Sequence, residues 1–323
     1  GDRVVRVLDG YVGRPTYGVH CSNLTNLCRG VVERVLFTRS GGSLEAPVKP
    51  KDGVFSKLSH EFGAVRRNTR STTVVPLEEY PSLYYGRKRA VYERAVASLS
   101  LQAVSKRDAV VRTFVKAEKV NFSDKPDPAP RVIQPRDPRY TASVGRYLKN
   151  FEKRLQEGFA KTYDYPVICK GLNAQGTAAV LKDNWDALDD PVAIGLDASR
   201  FDQHVSRQAL EFEHKFYNSV FKSPELAQLL SWQLVNKGVG LVDDGKIKYT
   251  VEGCRMSGDI NTSMGNCFIM CCIVLAYFRE AGLVARLSNN GDDCVVFCER
   301  RDLSKLEGIS KWFEEFGFKL TRE

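Results

Sequence analysis

Ser288-Asn289-Asn290-Gly291-Asp292-Asp293-Cys294 is a polar turn between two apolar runs, Leu283 to Leu287 and Cys294 to Cys298. Asn-Gly between apolar runs is a strong signal for a tight β-hairpin. The two acids therefore sit at or just beyond the turn. Side chains alternate faces along a strand, so one acid projects into a cleft while the other stands beside it. An isolated Gly-Asp-Asp is most often a solvated hairpin tip, because turns favour both residue types. Only partner acids elsewhere in the chain make it a site.

Those partners lie upstream. Val192 to Leu196 is a short apolar run ending in Asp197, and Asp202 follows in Asp197-Ala-Ser-Arg-Phe-Asp202. Two strands that each deliver acids at one end suit a pair of Mg²⁺ ions, since hard cations take carboxylate oxygens. Such a pair clamps the attacking and leaving oxygens of a phosphoryl displacement. Between the acids, Ser257-Gly258-Asp259-Ile260-Asn261-Thr262-Ser263-Met264-Gly265-Asn266 is a small polar loop opening an apolar helix from about Cys267 to Phe278. Its hydroxyl and amide groups suit a sugar.

Cations gather before these stretches. Lys116, Lys119, Lys125, Arg131 and Arg136 flank the Pro126, Pro128, Pro130 bend, which forces an extended path. A planar guanidinium bonds two phosphate oxygens at once, so the stretch suits either a generic basic loop or a clamp for a triphosphate, in which Arg131 and Arg136 would lead with the lysines in support.

In this order the acid pair, the Ser-Gly-x-x-x-Thr-x-x-x-Asn loop and Gly-Asp-Asp resemble a viral RNA-dependent RNA polymerase of the tombusvirus family, carmovirus-like members in particular. The likeness continues through Phe114-Val-Lys-Ala-Glu-Lys119, Pro126 to Arg136 and Lys170-Gly-Leu-Asn173 and covers nearly the whole chain. It implies an α+β right hand with fingers and an antiparallel palm sheet packed on helices. Residues 1–110 would form an N-terminal extension and fingers, 111–190 fingers with the nucleotide-clamping segment, and 191–323 the palm with a finger insertion at about 207–255. Such polymerases continue into a thumb, so the stop at Glu323 reads as a truncation.

The resemblance also implies roles. Asp197 and Asp292 would be the principal ligands of two Mg²⁺ ions, with Mn²⁺ as an alternative, and Asp293 an adjacent carboxylate. Asp202, Ser257, Thr262 and Asn266 would serve the ribose, whose 2′-hydroxyl separates RNA from DNA. Lys319 is the nearest match to a lysine that protonates departing pyrophosphate. The partners implied are an RNA template, the nascent strand and nucleoside triphosphates, with a viral membrane-anchoring replication protein and host factors beside them. The setting implied is host cytoplasm, in replication complexes on host membranes. Two rivals are a catalytically incomplete RNA-binding fragment and a reverse transcriptase.

Composition agrees with a folded chain of that kind. The 323 residues are 43% hydrophobic and carry a formal net charge of +9, which favours a polyanionic partner. Nine cysteines, scattered without Cys-x-x-Cys, fit neither a disulfide framework nor a zinc site. The longest uninterrupted apolar run, Cys267 to Phe278, is too short to span a bilayer.

Spacing predicts helices over Leu24 to Phe37, Arg87 to Lys106, Tyr140 to Gln156, Arg207 to Phe221 and Pro224 to Asn236, and a strand over Ser71 to Leu77. Arg66, Arg67 and Arg70 suit a solvated face or RNA equally, and Tyr84 and Tyr85 read as core anchors. A second Asp-Asp, Asp243-Asp244 before Gly245, tips a polar hairpin without partner acids and is assigned to solvent.

Overall fold

The computed structural model describes residues 17–124 and 126–322. Lys125, expected near phosphate, lies outside the described residues. The fold is α+β. Its central sheet has four antiparallel strands in the order Ala285–Asn290, Asp293–Glu299, Pro191–Ala198 and Leu320–Arg322. Leu196, Ala198, Cys294, Val296 and Cys298 alternate along two of these strands and are all buried. That period-two pattern gives the sheet one core face.

The core face is covered by the Thr262–Glu280 helix. It is apolar all round, and every residue from Met264 to Phe278 is buried, as expected of a helix enclosed on all sides. By length and composition it could cross a membrane, yet 83% of its most apolar window is buried inside the fold. It is a core helix here. The helix begins at Thr262 and not near Cys267, because the small polar residues expected to form a loop make its first turns and find partners inside. Ser263, for example, donates to Glu152 Oε1 at 2.8 Å.

Aromatic rings lock the neighbouring helices onto it. Phe268 stacks on Phe212 at 5.3 Å and meets Phe216 at 4.6 Å, both from the Arg207–Phe221 helix. Phe62 of the Ser59–Asn68 helix closes the same cluster against Phe216 at 5.3 Å.

A second sheet runs Val132–Ile133, Val111–Val115, Val235–Val242, Gly245–Glu252. Its Val111–Val115 and Val235–Val242 strands are parallel, the rest antiparallel. The stretch 207–255 is thus shared: its helices belong to the main core, and its hairpin joins the second sheet.

Three local expectations change. Ser71 to Leu77 forms no strand, and the chain passes into a 3₁₀ turn at Leu77–Leu83. The expected Tyr140 to Gln156 helix is two helices, Pro138–Leu148 and Phe151–Tyr163, broken at Lys149-Asn150. The Pro224 helix ends at Ser231, since Val235 and Asn236 are taken into the second sheet.

Candidate active site

The hairpin loop is the residue pair Gly291-Asp292, flanked by the paired Asn290 and Asp293. Gly291 has φ +87°, the left-handed value that the first position of such a loop demands. Buried Asn289 braces the loop, donating through Nδ2 to the Gly291 carbonyl at 2.7 Å and accepting the Gly291 N–H at 3.3 Å. The Val167 to Cys169 segment clips on from outside, with the Cys169 N–H on the Asn289 carbonyl at 2.8 Å.

This arrangement fixes the acids. Asp293 lies directly opposite Asp197 across the antiparallel pair, on the same face, while Asp292 occupies the loop. Opposite residues in such a pair stand about 4.5–5.5 Å apart at Cβ, so these carboxylates are neighbours. Burial, then the negative charges of Asp202 and Asp197, push the Asp292 carboxyl up, and Lys170 pulls it back. Burial, Asp292 and Asp197 do the same to Asp293. The acids crowd one another.

Asp202 enters from a tight corner. Arg200 adopts φ +49° and starts the short Phe201–His204 helix, which turns Asp202 toward the hairpin. Asp202 Oδ1 accepts from Asn266 Nδ2 at 2.8 Å. Burial raises its pKa, and the bond from Asn266 and the charge of Arg255 oppose the rise.

Asp202, Asp292 and Ser257 line one cleft together with Arg131, Arg34 and Arg200. Arg34 and Arg200 were not among the residues expected from sequence. Arg34 donates to the Ala129 carbonyl at 3.1 Å, and Arg200 donates to the Glu33 carbonyl. Burial, then the charges of Arg200 and Arg131, lower the Arg34 pKa, and Glu118 and Glu33 oppose the fall, so three cations share this cleft. Arg200 lies between Asp197 and Asp202 in sequence, and that adjacency to the two acids is the signal it carries. Arg34 lies in the expected Leu24 to Phe37 helix and carries no signal of its own.

Arg136 is a correction. Expected at the triphosphate, it is 1% exposed and paired bidentately with Asp259, at 2.6 and 2.9 Å. It also donates to the Ala109 carbonyl at 2.7 Å and to Asn236 Oδ1 at 2.8 Å. A guanidinium so enclosed ties segments together and has no face for a ligand. Sequence could not separate it from Arg131, since both are arginines beside the same bend.

Of Lys116, Lys119, Ser257, Thr262 and Lys319, Ser257 is the one that lines the cleft. Lys116 pairs with Glu118 at 2.7 Å, and Lys119 sits over the Tyr17 ring at 4.4 Å. The Ser257 hydroxyl accepts the Gln134 N–H at 3.2 Å, and Thr262 donates to the Met256 carbonyl at 2.7 Å. Thr262 is thereby a brace of the loop. Lys319 is exposed just before the Leu320–Arg322 strand, where its carbonyl accepts the Ser199 N–H at 2.9 Å. Asp243 and Asp244 are exposed at the tip of the other sheet's hairpin, and Asp244 accepts the Leu24 N–H at 2.9 Å. That acid caps the Leu24–Val31 helix as well as facing water.

A family model described as viral RNA dependent RNA polymerase matches residues 1–323. The chain is 46% identical over 318 residues to the RNA-directed RNA polymerase of Pothos latent virus (isolate Pigeonpea/India), covering 97% of this chain and 43% of the relative. It is 47% identical to the RNA-directed RNA polymerase of Melon necrotic spot virus, over 95% of this chain and 39% of that protein. For the RNA-directed RNA polymerase of Turnip crinkle virus the identity is 46%, over 95% and 40%. The chain therefore spans well under half the length of these relatives. With a family match along its whole length and relatives of this likeness, the chain belongs to the viral RNA-dependent RNA polymerase family.

Proposed function

We propose that this chain carries the fingers and palm of a right-handed polymerase that copies an RNA template from ribonucleoside triphosphates, replicating a positive-strand viral genome. In this reading 191–323 form the palm with a finger insertion at about 207–255, 1–110 an N-terminal extension and fingers, and 111–190 fingers with the nucleotide-clamping segment. The observation that carries the reading is one cleft in which Asp202 and Asp292 face Arg34, Arg131 and Arg200, beside the Asp197 and Asp293 pair. Acids for a metal and cations for a triphosphate meet there.

Mg²⁺ fits the donor set. Asp197 and Asp293 stand opposite each other on paired strands, with Asp292 in the adjoining loop. Mg²⁺ keeps several waters and binds through one or two carboxylates plus substrate phosphates, so an open set of acids suits it. Asp197 and Asp292 would hold the ions with Asp293 adjacent, and the charge crowding among these acids is what a divalent cation relieves. When bound, the ion pair supplies charge neutralisation at the attacking and leaving oxygens.

The chain's own residues do the rest. The arginine wall orients the triphosphate, which places the reacting phosphorus and contributes mainly by positioning. Asp202 and Asn266 read the 2′-hydroxyl. Lys319, just before the strand that pairs with Pro191–Ala198, is the proposed proton donor to pyrophosphate. The test is incorporation of labelled ribonucleotide on an RNA template with Mg²⁺. Asp292→Asn should abolish it for ribo and deoxyribo substrates alike, and full activity in that variant would refute the assignment.

A further inference from the structure

Behind the cleft lies a buried polar network that the chemistry above leaves unused. The side chains of Arg255 and Glu213 are both 0% exposed, and Arg255 Nη2 donates to Glu213 Oε2. Glu213 Oε1 accepts from the Tyr217 hydroxyl and from Asn261 Nδ2, each at 2.8 Å. Asn261 in turn exchanges hydrogen bonds with Gln233 at 3.0 and 3.1 Å. Apolar residues of similar volume are commonly as stable as a buried ion pair, so stability alone does not account for charge here.

The network ends on the sugar side of the site. Arg255 Nε donates to Asn266 Oδ1 at 3.0 Å, and the Arg255 backbone N–H donates to the Asp202 carbonyl at 2.8 Å. One residue therefore holds both members of the Asp202 and Asn266 pair. With its oxygen on a guanidinium, the Asn266 amide can point only its NH₂ at Asp202. The flipped amide would set NH₂ against Arg255 and oxygen against a carboxylate, two repulsive contacts. Glu213 fixes the rotation of the guanidinium. Gly265 leaves the room, because an added Cβ there would overlap Glu213 Oε1 and Arg255 Nη2.

We propose that Arg255, clamped by Glu213, is a positioning residue for sugar selection, locking the Asn266 amide so that Asp202 and Asn266 present a fixed donor and acceptor to the ribose 2′-hydroxyl. The inference rests on the polymerase reading of the site. Arg255→Lys keeps the charge and loses the fork that spans Asn266 and Glu213. Glu213→Gln is isosteric, and frees the guanidinium to rotate.

The experiment measures kcat and KM for ribo and 2′-deoxyribonucleoside triphosphates on an RNA template, using the full chain, with a melting curve for each variant. The ratio of the two kcat/KM values should fall roughly threefold to tenfold in either variant, the worth of one hydrogen bond. Lost folded protein lowers both substrates equally and leaves the ratio untouched. On an Asn266→Ala background, Arg255→Lys should change the ratio no further, because the two act through one amide. If Arg255→Lys does not fold, Glu213→Gln carries the same comparison. A variant that melts lower with an unchanged ratio, or an additive effect on the Asn266→Ala background, overturns the positioning role. Failure of the unaltered chain to incorporate ribonucleotide would instead overturn the polymerase reading beneath it.

Discussion

Arg136→Ala separates a structural arginine from a ligand-binding one. In the fold its guanidinium is paired bidentately with Asp259, whose side chain is only 4% exposed, and lies 5.3 Å from the Tyr140 ring. Truncation leaves the Asp259 carboxylate buried without its counter-charge, and strips the Ala109 carbonyl and Asn236 of a donor. Removing one partner of a buried pair costs about 3–5 kcal/mol. Against a total stability of roughly 5–15 kcal/mol, that loss is large. Urea unfolding should therefore show a clearly lower midpoint with an unchanged slope. Arg136→Ala/Asp259→Ala should recover part of the loss, since the orphaned charge is gone. The folded fraction should keep its KM for nucleotide. An unchanged midpoint with a raised KM would refute the reasoning and return Arg136 to the triphosphate.

Arg131→Ala should do the opposite: the side chain is 56% exposed and meets Glu118 only at 3.3 Å, so stability should shift by no more than about 0.5 kcal/mol while nucleotide KM rises. RNA affinity, measured separately by filter binding, should hold, and Arg131→Lys should restore only part of nucleotide use. Asn266→Ala should lower ribo over deoxyribo selection by roughly threefold to tenfold, read from competing single-nucleotide additions. Gly291→Ala should cost about 1 kcal/mol or more by denaturant titration, because φ is +87° and an added Cβ meets nothing within 4 Å, making the loss one of backbone alone. Nucleotide addition should fall with it, as Asp292 is the next residue.

Local signals were legible wherever neighbouring residues decide the outcome. Asn-Gly between apolar runs marks the hairpin, and the acids fall at its loop as expected. The Arg207–Phe221 helix has its expected bounds, with Ser206 capping one end and Lys222 at φ +49° closing the other. Ordered motifs along the whole chain carried the family resemblance, which the relatives bear out. That information is one-dimensional and survives in the sequence.

What only the tertiary structure decided is which side chains share a space. The acid opposite Asp197 is Asp293, because strand register, and not adjacency to glycine, sets the pairing. Arg131 and Arg136 are five residues apart beside one bend, yet one borders the cleft and the other is sealed against Asp259, 123 positions away. Arg34 and Arg200 reach that cleft from segments 166 residues apart, and nothing in either segment encodes the other. The Arg255 and Glu213 pair joins the Asn266 helix to another helix through hydrogen bonds that no periodicity records. Periodicity reports which face of an element is apolar; the identity of the groups meeting there depends on how distant elements pack, and is fixed only when they do.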